Sequence, residues 1–366
     1  MHRQVRWQLH LYLMVGVILL MGAVPAITAA AQPKQATFEI TNTYTVKVPP
    51  QAQTMRIWFA VPQDDAESTI QNFEVEAPYE IRYNADSHGN RVGYMEVQAP
   101  KGEEITIRET FAITRREILG NVDPAQTRPL TKAEKASMAD DLKPSTYVIV
   151  NDEIKALAAQ IVGDEDNPVN IARKLYDWTL ANIDYWVKDP ERLKASSMGS
   201  TEYCLRTKTG NCTDFHSLYA SLSLAAGLPT RIIYGSLLKP TLNGMDVDAS
   251  YHCWVQIYAP NLDWLTLDVA VADIYVSGVE VNDKNAKLIE LTTATGYKGV
   301  DPEMVDYYFG NLDERRVVWS VGRDLIMSPA QDAGPVNALA KMYVEVDGKV
   351  YDDWSRQFTY KEVQAN

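Results

Sequence analysis

Between Tyr251 and Asp268 the chain alternates with period two, and this limits what it can build. Cys253, Val255 and Ile257 point one way along a strand; His252, Trp254, Gln256 and Tyr258 point the other. After Pro260-Asn261 a second run follows, Trp264-Leu265-Thr266-Leu267-Asp268, whose two leucines share parity with the apolar set. Two such runs joined by a turn predict an antiparallel hairpin with one covered face. A hairpin centred on Pro260 pairs 252 with 268, 253 with 267 and 255 with 265. That register stacks the apolar side chains and sets His252 opposite Asp268, within hydrogen-bonding reach. A shift of half a residue pairs 252 with 269 and loses both coincidences.

Upstream lies Gly210-Asn211-Cys212-Thr213-Asp214-Phe215-His216. Phe215, Leu218, Tyr219, Leu222, Ala225 and Ala226 recur at helical spacing, and Gly227 and Pro229 end the run. Cys212 is therefore expected in the first turn of a helix, with Asn211 as N-cap. Free backbone N–H groups and the helix dipole favour thiolate there. An isolated cysteine is more often a small buried packing residue. A histidine on one strand and a carboxylate on the next change that reading. The imidazole takes the thiol proton, and the carboxylate holds the other ring nitrogen and supports the imidazolium. The candidate catalytic residues are thus Cys212, His252 and Asp268, with Asp273 as an alternative acid. Cys212 and His216, four apart, with His252 as a third ligand, also suggest zinc. No second close Cys/His pair accompanies them, so His216 is read as packing, and neither metal nor cofactor is expected.

The first 31 of the 366 residues carry no acid. Arg3 and Arg6 precede an apolar run from Leu11 to Val24, and Ala29-Ala30-Ala31 resembles a cleavage site. This reads as a secretory signal peptide, with a mature chain starting near Gln32, and as an exported, periplasmic or extracellular protein without stable membrane insertion. The uncleaved anchor is the alternative. The net charge of −13 excludes a basic nucleic-acid footprint. Three cysteines in an oxidising compartment imply either a free reactive thiol or an intermolecular bridge. Cys204 with Cys253 is one pairing that spares Cys212.

Strand-like segments at Phe38–Ile40, Tyr44–Val48, Met55–Phe59, Arg91–Val97 and Ile105–Arg108 predict a β-sandwich over 32–115. Residues 116–150 read as a linker with a short helix near Lys132–Asp141. A core follows over 151–330, opening with amphipathic helices around Ile154–Ile161 and Ile171–Thr179. Residues 331–366 read as a C-terminal β-hairpin extension. The loop Lys239–Ala249 carries Asn243, Asp246 and Asp248, but not the spacing of an EF-hand. Its acids are expected to form a rim attractive to cationic groups. Trp254, Tyr258, Trp264 and Tyr251 are candidate walls of an acceptor channel, or simply sheet packing.

Thr209 to Phe215, Ala226-Gly227-Leu228-Pro229-Thr230-Arg231, His252-Cys253-Trp254 and Trp264 to Asp268 together resemble the bacterial transglutaminase-like superfamily. Phe309 to Val317 and Gly322-Arg323-Asp324 resemble the segment after the core in exported members. The resemblance implies an α+β fold: a papain-like core, its Cys helix packed on an antiparallel sheet, preceded by an all-β sandwich-like domain. It also implies Cys212 as nucleophile, His252 as base and Asp268 as orienting group. The oxyanion donor is left open between the Cys212 backbone N–H and Tyr185 or another upstream aromatic. The expected activity is hydrolysis or deamidation of amide bonds in a peptide or protein through a thioester, with transfer to a primary amine as a side reaction. A binding module with an idle triad is the alternative.

Overall fold

The computed structural model describes residues 32–293 and 296–363. The signal-peptide reading of residues 1–31 falls outside them. Among the described residues no helix is long and apolar enough to cross a membrane.

Six strands come first: β1 Gln35–Lys47, β2 Thr54–Ala60, β3 Ser68–Glu76, β4 Arg82–Ala85, β5 Arg91–Gln98 and β6 Glu104–Arg116. A short β7, Ile118–Leu119, leads into α1 Lys132–Ser137, which Thr131 and Glu134 start with a reciprocal capping box. Then follow α2 Asp152–Val162, α3 Pro168–Asn182, β8 Asp184–Tyr185, α4 Thr201–Thr207, β9 Thr209–Gly210 and α5 Cys212–Ala225. The core sheet contributes β10 Thr230–Leu237, β11 Tyr251–Ala259 and β12 Asp263–Leu267. After α6 Val269–Val276, α7 Ala286–Thr292, α8 Pro302–Tyr307 and β13 Asn311–Leu312 it is completed by β14 Arg316–Val321. The last strands are β15 Met342–Val346, β16 Lys349–Val350 and β17 Trp354–Val363.

Helix α5 is central, buried from Cys212 to Ser223. It packs against α2, α3, α4 and α6 on one side and β10 and β11 on the other. Its start is over-determined: the Asn211 side chain accepts from the Thr213 and Asp214 amides, and Asp214 accepts back from the Asn211 amide at 2.9 Å. Its end is a Schellman turn. Gly227, at φ +80°, lets the Leu228 amide reach the Ser223 carbonyl at 2.9 Å. The outcome is the expected α+β core, a Cys helix on an antiparallel sheet of order β12-β11-β10-β14.

The hairpin register differs from the one read from sequence. Val255 faces Leu267, Ile257 faces Leu265 and Ala259 faces Asp263. The expected centre at Pro260 leaves a one-residue loop, tighter than a hairpin can turn. The chain instead uses Pro260-Asn261-Leu262, with Asn261 and Asp263 at φ of +69° and +61°. The slip moves each partner by two residues, so parity survives and the apolar faces still stack.

The C-terminal segment is not a free hairpin. β15 pairs with β2 and β17 with β1, so the sandwich sheets are β17-β1-β6-β3 and β16-β15-β2-β5-β4. The central β1 and β2 each need a second neighbour, and the chain's end supplies it. Tyr44, Ile57, Phe59, Met95, Ile107 and Val344 fill the space between the sheets. Elsewhere sandwich and core share one apolar cluster: Trp319 on β14 lies edge-on to Phe111 and Phe358, at 6.1 and 5.6 Å.

The free edge of β17 holds the loop that leads into β11. The Gly244 amide donates to Tyr360 O at 2.9 Å and the Val247 amide to Phe358 O at 2.7 Å. The Phe358 and Glu362 amides donate to Asp246 Oδ1 and Asn243 Oδ1. Asp248 accepts from Lys341 Nζ at 2.6 Å and lies 3.5 Å from Arg356 Nη1. The acids read as an exposed rim are thus consumed in anchoring the loop.

Candidate active site

Cys212 opens α5, where a backbone N–H has no intrahelical acceptor. The thiol is only 4 % exposed. His252, next to the start of β11, is likewise buried. Its Nε2 lies 2.8 Å from Asp268 Oδ2, which leaves Nδ1 for the sulfur. Asp268 is not on a paired strand position. It is the N-cap of α6, its Oδ1 accepting the Val271 amide at 3.1 Å. The register two residues away from expectation thus still brings acid and imidazole together, diagonally rather than face to face. The structure places Cys212, His252 and Asp268 at one buried locus.

The electrostatics follow from the contacts. The Cys212 thiol is held well below its ordinary range, first by a hydrogen bond from the Cys253 thiol, then by the charge and hydrogen bond of His252, against the opposing effect of burial. Burial disfavours a charged His252, yet Asp268 and Cys212 raise it to about 9. Burial likewise opposes the Asp268 charge, but His252 and Arg316 keep the carboxyl below its usual range. The resting pair is therefore thiolate and imidazolium near neutral pH. The His252 charge contributes stability in full below pH 6.5, and that contribution is lost as pH rises through about 9. Asp268 works in the opposite sense: its contribution is present above 3.8 and fades as pH falls below that value. Alkylation of Cys212 by iodoacetamide is accordingly expected to be fast well below the ~8.5 of a free thiol. It should stay nearly level with pH until His252 deprotonates. A single rise near the free-thiol value would remove the ion pair from this account.

Arg316 is the residue that the sequence reading did not assign. Fully buried on β14, it donates from Nη1 to Asp268 Oδ2 at 2.6 Å and from Nε and Nη2 to Asp313 Oδ2 at 3.0 and 2.8 Å. Its guanidinium lies 5.0 Å over the Trp254 ring. The charged run Asp313-Glu314-Arg315-Arg316 was the signal available in the sequence.

His216 Nδ1 lies 3.4 Å from Cys253 Sγ, and its Nε2 is 3.7 Å from Asp268 Oδ1, too far for a hydrogen bond. Burial holds this ring down to about 4, so it is neutral. Burial, with the Cys212 charge next, raises the Tyr185 hydroxyl well above its ordinary range, and Tyr251 OH lies 3.0 Å from Thr213 Oγ1. The alternative acid Asp273 stands elsewhere. It accepts from the Tyr185 amide at 2.8 Å and pairs with Lys188 Nζ at 2.7 Å. The channel walls read from sequence separate in the same way. Tyr258 and Trp264 pack edge-on at 5.6 Å, with Arg231 over Trp264. They lie six residues along the strand from His252, about 20 Å. Trp254 is buried beneath Arg316 against Ile233, Leu312 and Val318. Of the four aromatics, Tyr251 is the one tied to the residues beside the thiol.

Cys204 and Cys253 do not pair; all three cysteines are free and buried. Among the described residues no group of three or more His, Cys, Asp or Glu side chains is arranged to hold a metal ion.

Residues 155–269 match the family model of the transglutaminase-like superfamily. A Haemophilus influenzae protein described as uncharacterized is 23% identical over 355 residues, covering 89% of this chain and 90% of its own. The crystal structure of a "Putative Cysteine Protease" from Cytophaga hutchinsonii superimposes with a TM-score of 0.56 at 15% identity, over 92% of this chain and 94% of that one, a likeness of fold. The periplasmic domain of TgpA from Pseudomonas aeruginosa reaches a TM-score of 0.31 at 16% identity, over 64% of this chain and 89% of its own. The stretch from α2 through the thiol helix to the acid that caps α6 is thus a transglutaminase-like superfamily domain.

Proposed function

We propose that the protein is a cysteine enzyme acting on amide bonds, with Cys212 as nucleophile, His252 as acid and base, and Asp268 as the group that orients and supports the imidazolium. The observation that carries this reading is the buried line Cys212, His252, Asp268, its acid held by Arg316. The thiolate attacks the carbonyl carbon of a peptide or glutamine side chain. The carbonyl oxygen takes the negative charge, and the Cys212 amide and the Tyr185 hydroxyl are the candidate donors to it. His252 passes its proton to the departing nitrogen, leaving a thioester. Water then attacks, giving its proton to His252, and the thiolate leaves.

Hydrolysis or deamidation is favoured over transfer. An amine acceptor needs a water-excluding channel at the thioester, and of the aromatics considered for that role Tyr251 alone stands beside the thiol, while Tyr258 and Trp264 lie away from it and Trp254 lies beneath Arg316. The acid-free first 31 residues, with an apolar run from Leu11 to Val24, support export of the enzyme. The test is a peptide library containing glutamine, with and without a labelled primary amine, read by mass spectrometry against Cys212→Ala. Backbone cleavage or conversion of glutamine to glutamate, absent in the variant, is the expected result. Stoichiometric amine incorporation at low amine concentration would replace hydrolysis by transfer. No Cys212-dependent product would leave the protein as a binding module.

A further inference from the structure

Of the three buried thiols, Cys204 lies in α4, where burial and the nearby Asp214 charge hold its pKa well above the ordinary thiol range. Cys253 is placed differently. It follows His252 on β11, on the strand face that meets α5. Its Sγ lies 3.6 Å from Thr213 Oγ1, and Cys212 Sγ lies 3.9 Å from the same hydroxyl. Both sulfurs therefore lie against one hydroxyl, that of Thr213. A neutral histidine, His216, approaches Cys253 Sγ from the other side, with Nδ1 at 3.4 Å. A valine or alanine would fill this position for packing alone. A second thiol against the nucleophile, with an imidazole against that thiol, does more.

We propose that Cys253 is a resolving thiol, which turns oxidation of Cys212 by a hydroperoxide into a reversible disulfide instead of irreversible loss. The inference rests on Cys212 being the reactive thiol of the proposed function. The Cys212 thiolate attacks the terminal oxygen of the hydroperoxide. The S–O bond forms, the O–O bond breaks, and the departing alkoxide takes the His252 proton, giving a sulfenic acid and an alcohol. Cys253 then yields its proton to His216 Nδ1 and attacks the Cys212 sulfur. The S–S bond forms, the S–O bond breaks, and hydroxide leaves with that proton as water. Two thiols and one hydroperoxide become one disulfide, one alcohol and one water, a two-electron exchange. A sulfenic acid with no thiol in reach continues to sulfinic acid, which thiol reductants do not restore. Here the second thiol shares the Thr213 hydroxyl with the first. Because both are buried, the oxidant class is limited to small hydroperoxides.

The experiment treats the reduced, purified protein with hydrogen peroxide and follows intact mass, peptide maps and iodoacetamide labelling. The expected wild-type product has lost two hydrogens, carries a Cys212–Cys253 linked peptide, and regains full Cys212 labelling in dithiothreitol. Cys253→Ser and Cys253→Ala should instead gain two oxygens at Cys212 and recover no labelling. Should neither variant fold, the wild-type linkage map decides. Passage of wild-type Cys212 to sulfinic acid as in the variants, or a bridge to Cys204, overturns the resolving role while leaving Cys212 the reactive thiol. A Cys212 that neither alkylates nor oxidises faster than Cys204 overturns the proposed function together with the inference.

Discussion

Asp268→Asn is expected to lower turnover by about 10³–10⁴-fold while the protein stays folded. Asparagine is as good an N-cap as aspartate, so α6 keeps its start. The amide cannot, however, serve all three partners of the carboxylate. With its oxygen toward His252 and Arg316, its NH₂ faces the Val271 amide that Asp268 Oδ1 now accepts. With its oxygen on Val271, the NH₂ meets the Arg316 guanidinium and turns a donor on His252 Nε2. In both orientations the imidazolium loses its counter-charge. His252 should then fall from about 9 toward its ordinary value, and the Cys212 thiol should rise with it. The measurement is kcat on the best library peptide, together with the pH profile of alkylation. Asp273→Asn is the control: it touches the Tyr185 amide and Lys188, and its effect on turnover should be far smaller. Equal losses in the two variants would take the orienting role away from Asp268.

The second large effect is on stability. Arg316→Met should cost about 3–5 kcal/mol, because it strands two buried carboxylates in the absence of their shared cation. For a chain of this size that is a fall in Tm on the order of 10 °C. Asp268 then ionises less readily, so the acid limb of the activity profile should move to higher pH. Arg316→Lys keeps the charge but cannot span both acids with a planar fork. It should recover part of the stability and less of the turnover. Scanning calorimetry and a pH–rate profile separate the two effects. A variant as stable as wild type, with an unmoved acid limb, would mean that the Asp268 charge is held by His252 alone.

The parts of this site that were legible in the sequence are those set by local periodicity. Asn211, Cys212 and Gly227 bound a helix, and the alternation from Tyr251 to Asp268 brings an imidazole and a carboxylate to one end of a hairpin. The alternation carried parity but not register, since a slip of two residues leaves every face unchanged and only the loop at Pro260 decides it. Arg316 was out of reach for another reason. Its contact with Asp268 spans 48 positions and arises where the chain returns past β12, with the Asp268 amide donating to Tyr308 O and Gly310 to Thr266 O. Asp246 and Asp248 were misread because their partners, Phe358, Lys341 and Arg356, lie about a hundred residues on. Charge in a loop says nothing about which strand will consume it.

The anchoring of the histidine loop on β17 bears on the order in which the molecule becomes competent during synthesis. The thiol helix and the histidine strand emerge well before Trp354–Val363, and domains assemble as their residues become available. Until that strand is added between β1 and the loop, Gly244, Val247 and Asp248 lack the partners that hold the approach to His252. A chain carrying every residue of the proposed chemistry is therefore immature until β17 has inserted, and a proteolytic nick between β14 and β17 should be felt at the imidazole.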